Sequence, residues 1–168
     1  MSPHVQGERQ CSRAAGPQPE LSRLAGVGDA SRMATYDELQ LGECATFTKT
    51  LSETDIYLFA GITGDMNPAH VDAVSAAQGV FKQRIAHGML SASFISTVIA
   101  MKLPGPGTIY AGQNLQFRGP VFIGDTVTAR VEVSEKIEAR QWVKLKTTVT
   151  NQDGKLVVDG EATVIPPK

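Results

Sequence analysis

The chain has 168 residues, a formal net charge of −1 and 42% hydrophobic residues, which suits one globular domain with a tail and gives no electrostatic reason to expect nucleic acid or an anionic membrane as a partner. Its two cysteines, Cys11 and Cys44, match no metal-ligand spacing and no dense disulfide framework, so a reducing compartment such as the cytoplasm is expected. No apolar run is long enough to span a bilayer, and no early apolar segment marks a secretory signal.

Residues 1–32 are dominated by Gly, Pro, Ser, Ala and Arg and show no apolar period, so they read as a flexible extension. Arg9, Arg13, Arg23 and Arg32 raise the mitochondrial matrix as an alternative location, whereas Glu8, Glu20 and Asp29 speak against a transit peptide. Met33 is an alternative start. The domain is assigned to residues 33–168, with the folded part beginning near Tyr36. Glu43 to Thr50 alternates loosely and reads as a first strand. Ser52 and Asp55 then form a capping-box pattern, and Ile56, Phe59 and Ala60 fall on one helical face. Gly61 or Gly64 ends that helix. Asn67-Pro68 follows as a cap with a proline at the first helical position, opening a short turn through His70.

Residues 87–103, HGMLSASFISTVIAMKL, form the longest apolar helix candidate. Met89, Leu90, Phe94, Ile95, Val98, Ile99 and Met101 surround it almost completely, which predicts burial on most sides. Pro104-Gly105-Pro106-Gly107 stops it. The period then changes to two. Alternating residues over 109–117, 127–133 and 143–149, a turn at Asn151–Gly154 and a return over 156–165 predict four antiparallel strands. A sheet curled around the apolar helix would cover both, giving an α+β fold.

Three readings compete for Asp65, Asn67 and His70. As a helix-ending turn, the Asx side chains bond nearby backbone and the histidine is incidental; spacing alone favours this. A metal site needs three convergent ligands; Asp65 and His70 are near, Asp72 is the one candidate for a third, and the spacing matches no strong zinc pattern, so no metal is expected. As an acid–base pair, the carboxylate and imidazole would hold one water. His87-Gly88 reads either as a plain helix start or as an oxyanion site, because Gly88 leaves its N–H open at the positive end of the helix dipole. Ser96 lies about two turns further on and has no activating histidine around it, so it reads as a packing or positioning residue. Gly105 and Gly107 stand in no phosphate-binding context.

Taken together, GDMNPAHVD, RIAHGMLSASFIS and GTIYAGQNLQFRGPVFIGDTV, in that order, resemble the MaoC-like hydratases, and among them the single-domain (R)-specific enoyl-CoA hydratases. The resemblance spans about residues 36–166. It implies a hot-dog fold, a curled antiparallel sheet wrapped around a long central helix, and a homodimer. It implies reversible (R)-specific hydration of trans-2-enoyl-CoA, or of an acyl-carrier-protein thioester, without cofactor or metal. By the same resemblance Asp65 and His70 are the catalytic pair, Gly88 is the oxyanion donor, and Asn67 and Ser96 are supporting residues. A hot-dog thioesterase and a non-catalytic acyl-thioester-binding subunit stand as alternatives.

Overall fold

The computed structural model describes residues 33–168; the expected flexible extension, 1–32, lies outside the described residues. The chain runs β1 (Cys44–Thr50), α1 (Glu53–Thr63), α2 (Pro68–Val71), α3 (Ala73–Gln78), α4 (Gly88–Met101), β2 (Ile109–Phe117), β3 (Thr126–Ile137), a 3-10 turn (Glu138–Arg140), β4 (Trp142–Thr150) and β5 (Leu156–Ile165).

The helix starts are set locally. Ser52 Oγ accepts the Asp55 N–H at 3.2 Å, and the Asp55 carboxylate accepts the Ser52 N–H at 2.8 Å, completing the capping box of α1. That backbone bond holds the Asp55 carboxyl below its ordinary range. Gly64 ends α1 with φ +78°, a left-handed conformation that suits glycine, while Gly61 stays inside the helix. Asn67 Oδ1 accepts the Ala69 N–H at 3.0 Å and Pro68 occupies the first turn of α2. A further helix, α3, was not expected from the sequence. Asp72 caps it by accepting the Val74 and Ser75 N–H groups at 2.9 and 3.0 Å.

All five strands pair antiparallel in the order β1-β3-β4-β5-β2. The strict alternation in β3 and β4 buries Val127, Ala129, Val131 and Val133 beside Val143, Leu145, Thr147 and Val149. Val133 stands opposite Leu145, and Leu145 opposite Ala162, so one face of the sheet is continuous and apolar. On it α4 seats Leu90, Phe94, Ile95, Val98 and Ile99. Each fully buried side chain of this kind contributes about 1.5–3 kcal/mol. The buried Thr147 hydroxyl is satisfied by Gln113 Nε2 at 3.0 Å. At Gly160 of β5 an added Cβ would fall 1.9 Å from the Asn114 carbonyl oxygen of β2, so only glycine lets these two strands pair there.

The expected curled sheet around a long central helix is not what forms. The sheet is open: β1 and β2 lie at its two edges and do not pair with each other. Among the described residues, four helices of 11, 4, 6 and 14 residues are present instead of one dominant central helix. The helix expected over 87–103 is α4, which spans about 21 Å at 1.5 Å per residue and is covered on one side. Met89, Ser93, Ser96, Ala100 and Met101 are exposed. Counting Met89 and Met101 as core made the helix look apolar all round; with both in solvent it needs only one covering layer.

Candidate active site

Asp65 and His70 flank the short break between α1 and α2. Gly64 turns the chain out of α1, which leaves the Asp65 side chain 53% exposed. The Asn67 N–H donates to Asp65 Oδ1 at 3.2 Å, while the Asn67 side chain caps the helix that carries His70. Asn67 thus ties the carboxylate and the imidazole to one turn. His70 Nδ1 lies 2.8 Å from the Ile85 carbonyl oxygen. A carbonyl accepts only, so Nδ1 carries the hydrogen, and in the neutral ring Nε2 has the lone pair.

The segment that supplies this carbonyl is fastened on both sides. The Ile85 N–H donates to Ala69 O at 3.1 Å, and the Ala86 N–H to Val121 O at 2.7 Å. Arg84, just before it, donates to Tyr57 Oη at 2.9 Å and pairs with Glu53, both on α1. The chain then enters α4 at Gly88, whose N–H, like the others of a first turn, has no partner within the helix. A Cβ at Gly88 would stand 2.8 Å from Phe117 Cε1, so the Phe117 ring lies directly over this glycine.

These groups share a cavity of about 730 Å³. Asp65, His70, Gly88 and Ser91 line its polar side; Phe59, Phe81, Phe117, Val121, Val157 and Val158 line its apolar side. Arg118 also lines it and is clamped to Asp159 through Nε at 2.8 Å and Nη2 at 3.2 Å. Ser96, by contrast, is exposed and is not among the lining residues.

Two buried polar residues in this wall were not proposed as site residues from the sequence. His87, read as part of a helix start, is buried and brings its ring against His70, with centroids 3.8 Å apart. Ser91 is also buried, and its Oγ has no hydrogen-bond partner. Both were within reach of a sequence argument. The folded part contains only two histidines, His70 and His87, and Ser91 follows Gly88 by three positions, hence on the same helical face. One ligating atom each from Asp65, His70 and His87 falls within 4.8 Å of the others, so the third donor that the metal reading lacked is His87 and not Asp72. Its Nε2, however, lies 3.0 Å from the Asp65 carbonyl oxygen, where it must donate a hydrogen. That leaves Nε2 no lone pair for a cation, and Nδ1 is shut off from solvent.

A carboxylate and an imidazole acceptor beside an open helix N-terminus, with an apolar chamber behind them, suit proton transfer on a carbonyl compound. The chain belongs to the family described as MaoC like domain, whose model matches residues 40–155. Within that family it is 53% identical over 132 residues to the (R)-specific enoyl-CoA hydratase of Rhodospirillum rubrum, covering 79% of this chain and 91% of the relative. It is 44% identical to the 3-hydroxybutyryl-CoA dehydratase of Methylorubrum extorquens, covering 82% and 87%. Among solved structures, the unliganded R-hydratase PhaJ1 of Pseudomonas aeruginosa superposes with a TM-score of 0.76 at 51% identity, covering 80% and 86%.

Proposed function

We infer that this protein catalyses the (R)-specific hydration of trans-2-enoyl-CoA to (R)-3-hydroxyacyl-CoA and the reverse dehydration. The observation that carries this reading is the meeting of Asp65, His70 and the start of α4 on one apolar-walled cavity, in a chain of the MaoC-like family.

The proposed chemistry follows from the acceptors present. His70 offers the Nε2 lone pair and Asp65 a carboxylate oxygen, so one water can donate a hydrogen to each. The thioester carbonyl makes C3 of the enoyl chain electrophilic. The water oxygen bonds to C3, one water hydrogen passes to the Asp65/His70 pair, and the C2–C3 π pair shifts toward the thioester oxygen. The pair then returns a proton to C2. Both additions come from the side on which the pair stands, so they are syn; the (R) product follows when the enoyl chain turns toward the pair the C3 face that yields (R), the outcome named for the relative from Rhodospirillum rubrum. The Gly88 N–H, at the positive end of α4, is assigned to the developing oxyanion, where one such donor is worth about 10²–10³ in turnover. Asn67 holds the pair's geometry.

Purified protein with crotonyl-CoA tests the reading. Loss of enoyl absorbance without thiol release, yielding the (R)-3-hydroxy product, is expected. Thiol release would mean a thioesterase, and tight binding without turnover would mean an acyl-thioester-binding subunit. Ser96, exposed and outside the cavity lining, is kept as a supporting residue with no contact to the reacting groups. Ser96→Ala is expected to leave kcat within about fivefold, below the usual acid–base contribution, as steady-state kinetics would show.

The finer assignments are proposals of the same kind. We take residues 33–168 as the catalytic unit and the cytoplasm as its location, with the mitochondrial matrix as the alternative that cell fractionation decides. No helix among the described residues is long and apolar enough to cross a membrane. A homodimer is supported by apolar side chains left in solvent on α4 and on the edge strand β2, among them Met89, Met101, Ile109 and Phe117. Sedimentation velocity is expected to give twice the chain mass; a monomer at micromolar concentration would remove the proposal.

A further inference from the structure

We propose that His87 is a positioning residue for this reaction, one that locks the His70 ring and the Asp65 main chain to the start of α4. The proposal rests on the reading of Asp65 and His70 as the reacting pair. Three contacts carry it. The His87 ring is 2% exposed and lies against the His70 ring, with centroids 3.8 Å apart and planes inclined by 32°. Its Nε2–H donates to the Asp65 carbonyl oxygen at 3.0 Å, inside the break between α1 and α2. Its own carbonyl accepts the Leu90 N–H at 3.0 Å, which anchors the first turn of α4.

One residue therefore touches the His70 ring, the Asp65 main chain and the first turn of α4 that carries Gly88. Phe59 packs against the ring from another side, at 5.1 Å between centroids. The side chain does not cap α4, so its burial is not explained by helix capping. In the neutral ring the Nε2–H tautomer leaves Nδ1 with a lone pair that is buried and unpartnered, and it engages Nε2 with the Asp65 main chain. The ring's work is geometric. With it gone, His70 loses the surface that fixes its plane, and the Asp65 loop loses its tether to the rest of the site. A displacement of about 1 Å in such a pair is enough to lower turnover strongly. The apolar walls away from His87, Val121, Val157 and Val158 among them, are the ones assigned to the acyl chain.

Two substitutions separate the functions of the ring. His87→Phe keeps a flat surface under His70 and loses the donor; His87→Gln keeps a donor and loses the surface. Each is expected to lower kcat for crotonyl-CoA at least about tenfold with KM changed less than about threefold. Neither is expected to add to the loss caused by Asp65→Asn, because that variant has already removed the chemistry being positioned. Wild-type kcat in both variants, a rise in KM with kcat unchanged, or full additivity with Asp65→Asn would overturn the proposal. Nitrogen-15 NMR of the wild-type imidazoles is independent of how the variants fold: it should show His87 in the Nε2–H form and His70 in the Nδ1–H form, and a Nδ1–H form of His87 would overturn the proposal too. If Asp65→Asn and His70→Ala keep their activity, the reading of the reacting pair fails instead, whatever His87 does.

Discussion

Replacing Asp65 by Asn is expected to lower turnover of crotonyl-CoA at least about a hundredfold and to leave the fold intact. The substitution is close to isosteric. The amide oxygen still accepts the Asn67 N–H that now reaches Oδ1 at 3.2 Å, so the turn between α1 and α2 keeps its bond. The His87 contact goes to the Asp65 main-chain carbonyl, which the substitution does not touch. What disappears is a group able to take a proton from water. His70→Ala should cost a similar factor in turnover, with a side effect on stability that Asp65→Asn lacks. It leaves the Ile85 carbonyl without its 2.8 Å donor, a loss of about 1–3 kcal/mol where water cannot replace it. Circular dichroism and thermal melts read that difference, and initial rates read the chemistry. A rate within a few-fold of wild type in either variant would remove that residue from the reacting pair.

The parts of this site that the sequence made legible are those set within a few residues. Ser52 with Asp55 and Asn67 with Pro68 are local hydrogen-bonding patterns, and each forms where the spacing places it. The two-residue alternation of β3 and β4 is equally local, because it depends only on the pleat. What stayed hidden depends on distant partners. Nothing in residues 109–117 says that β2 pairs with β5 and not with β3, which follows it in the chain. That choice leaves the sheet open, with β2 as an edge, and defeats the expectation of a sheet curled around a helix. The exposed stripe Met89, Ser93, Ser96 and Ala100 is likewise invisible until one knows that α4 has a single covering layer. His87 stayed hidden because its neighbours are non-local. Its ring meets His70, seventeen positions earlier, only because the segment at Ile85 and Ala86 is stitched to Ala69 on one side and Val121 on the other.

Gly88→Ala is expected to cut kcat/KM about a hundredfold, the scale of losing one oxyanion donor. The backbone N–H survives the substitution, so the loss has to arise from space. The added Cβ would stand 2.8 Å from Phe117 Cε1 and 2.9 Å from Cδ1, closer than carbon atoms approach without one of them moving. The helix backbone at its first turn is held by the His87 carbonyl bonds to Leu90 and Ser91, whereas the Phe117 side chain is half exposed at the end of an edge strand. The ring is the part that yields. Both groups line the cavity, so a shifted ring and a new methyl each take room beside the Gly88 N–H, the position proposed for the thioester oxygen. The double variant Gly88→Ala/Phe117→Ala separates the two effects. If ring displacement is the cause, truncating Phe117 returns most of the lost rate; if the methyl itself screens the N–H, the double variant stays as slow as Gly88→Ala alone. A Gly88→Ala enzyme with wild-type kcat/KM would mean that the thioester oxygen does not lie at this helix start, and the donor would have to be sought elsewhere in the cavity.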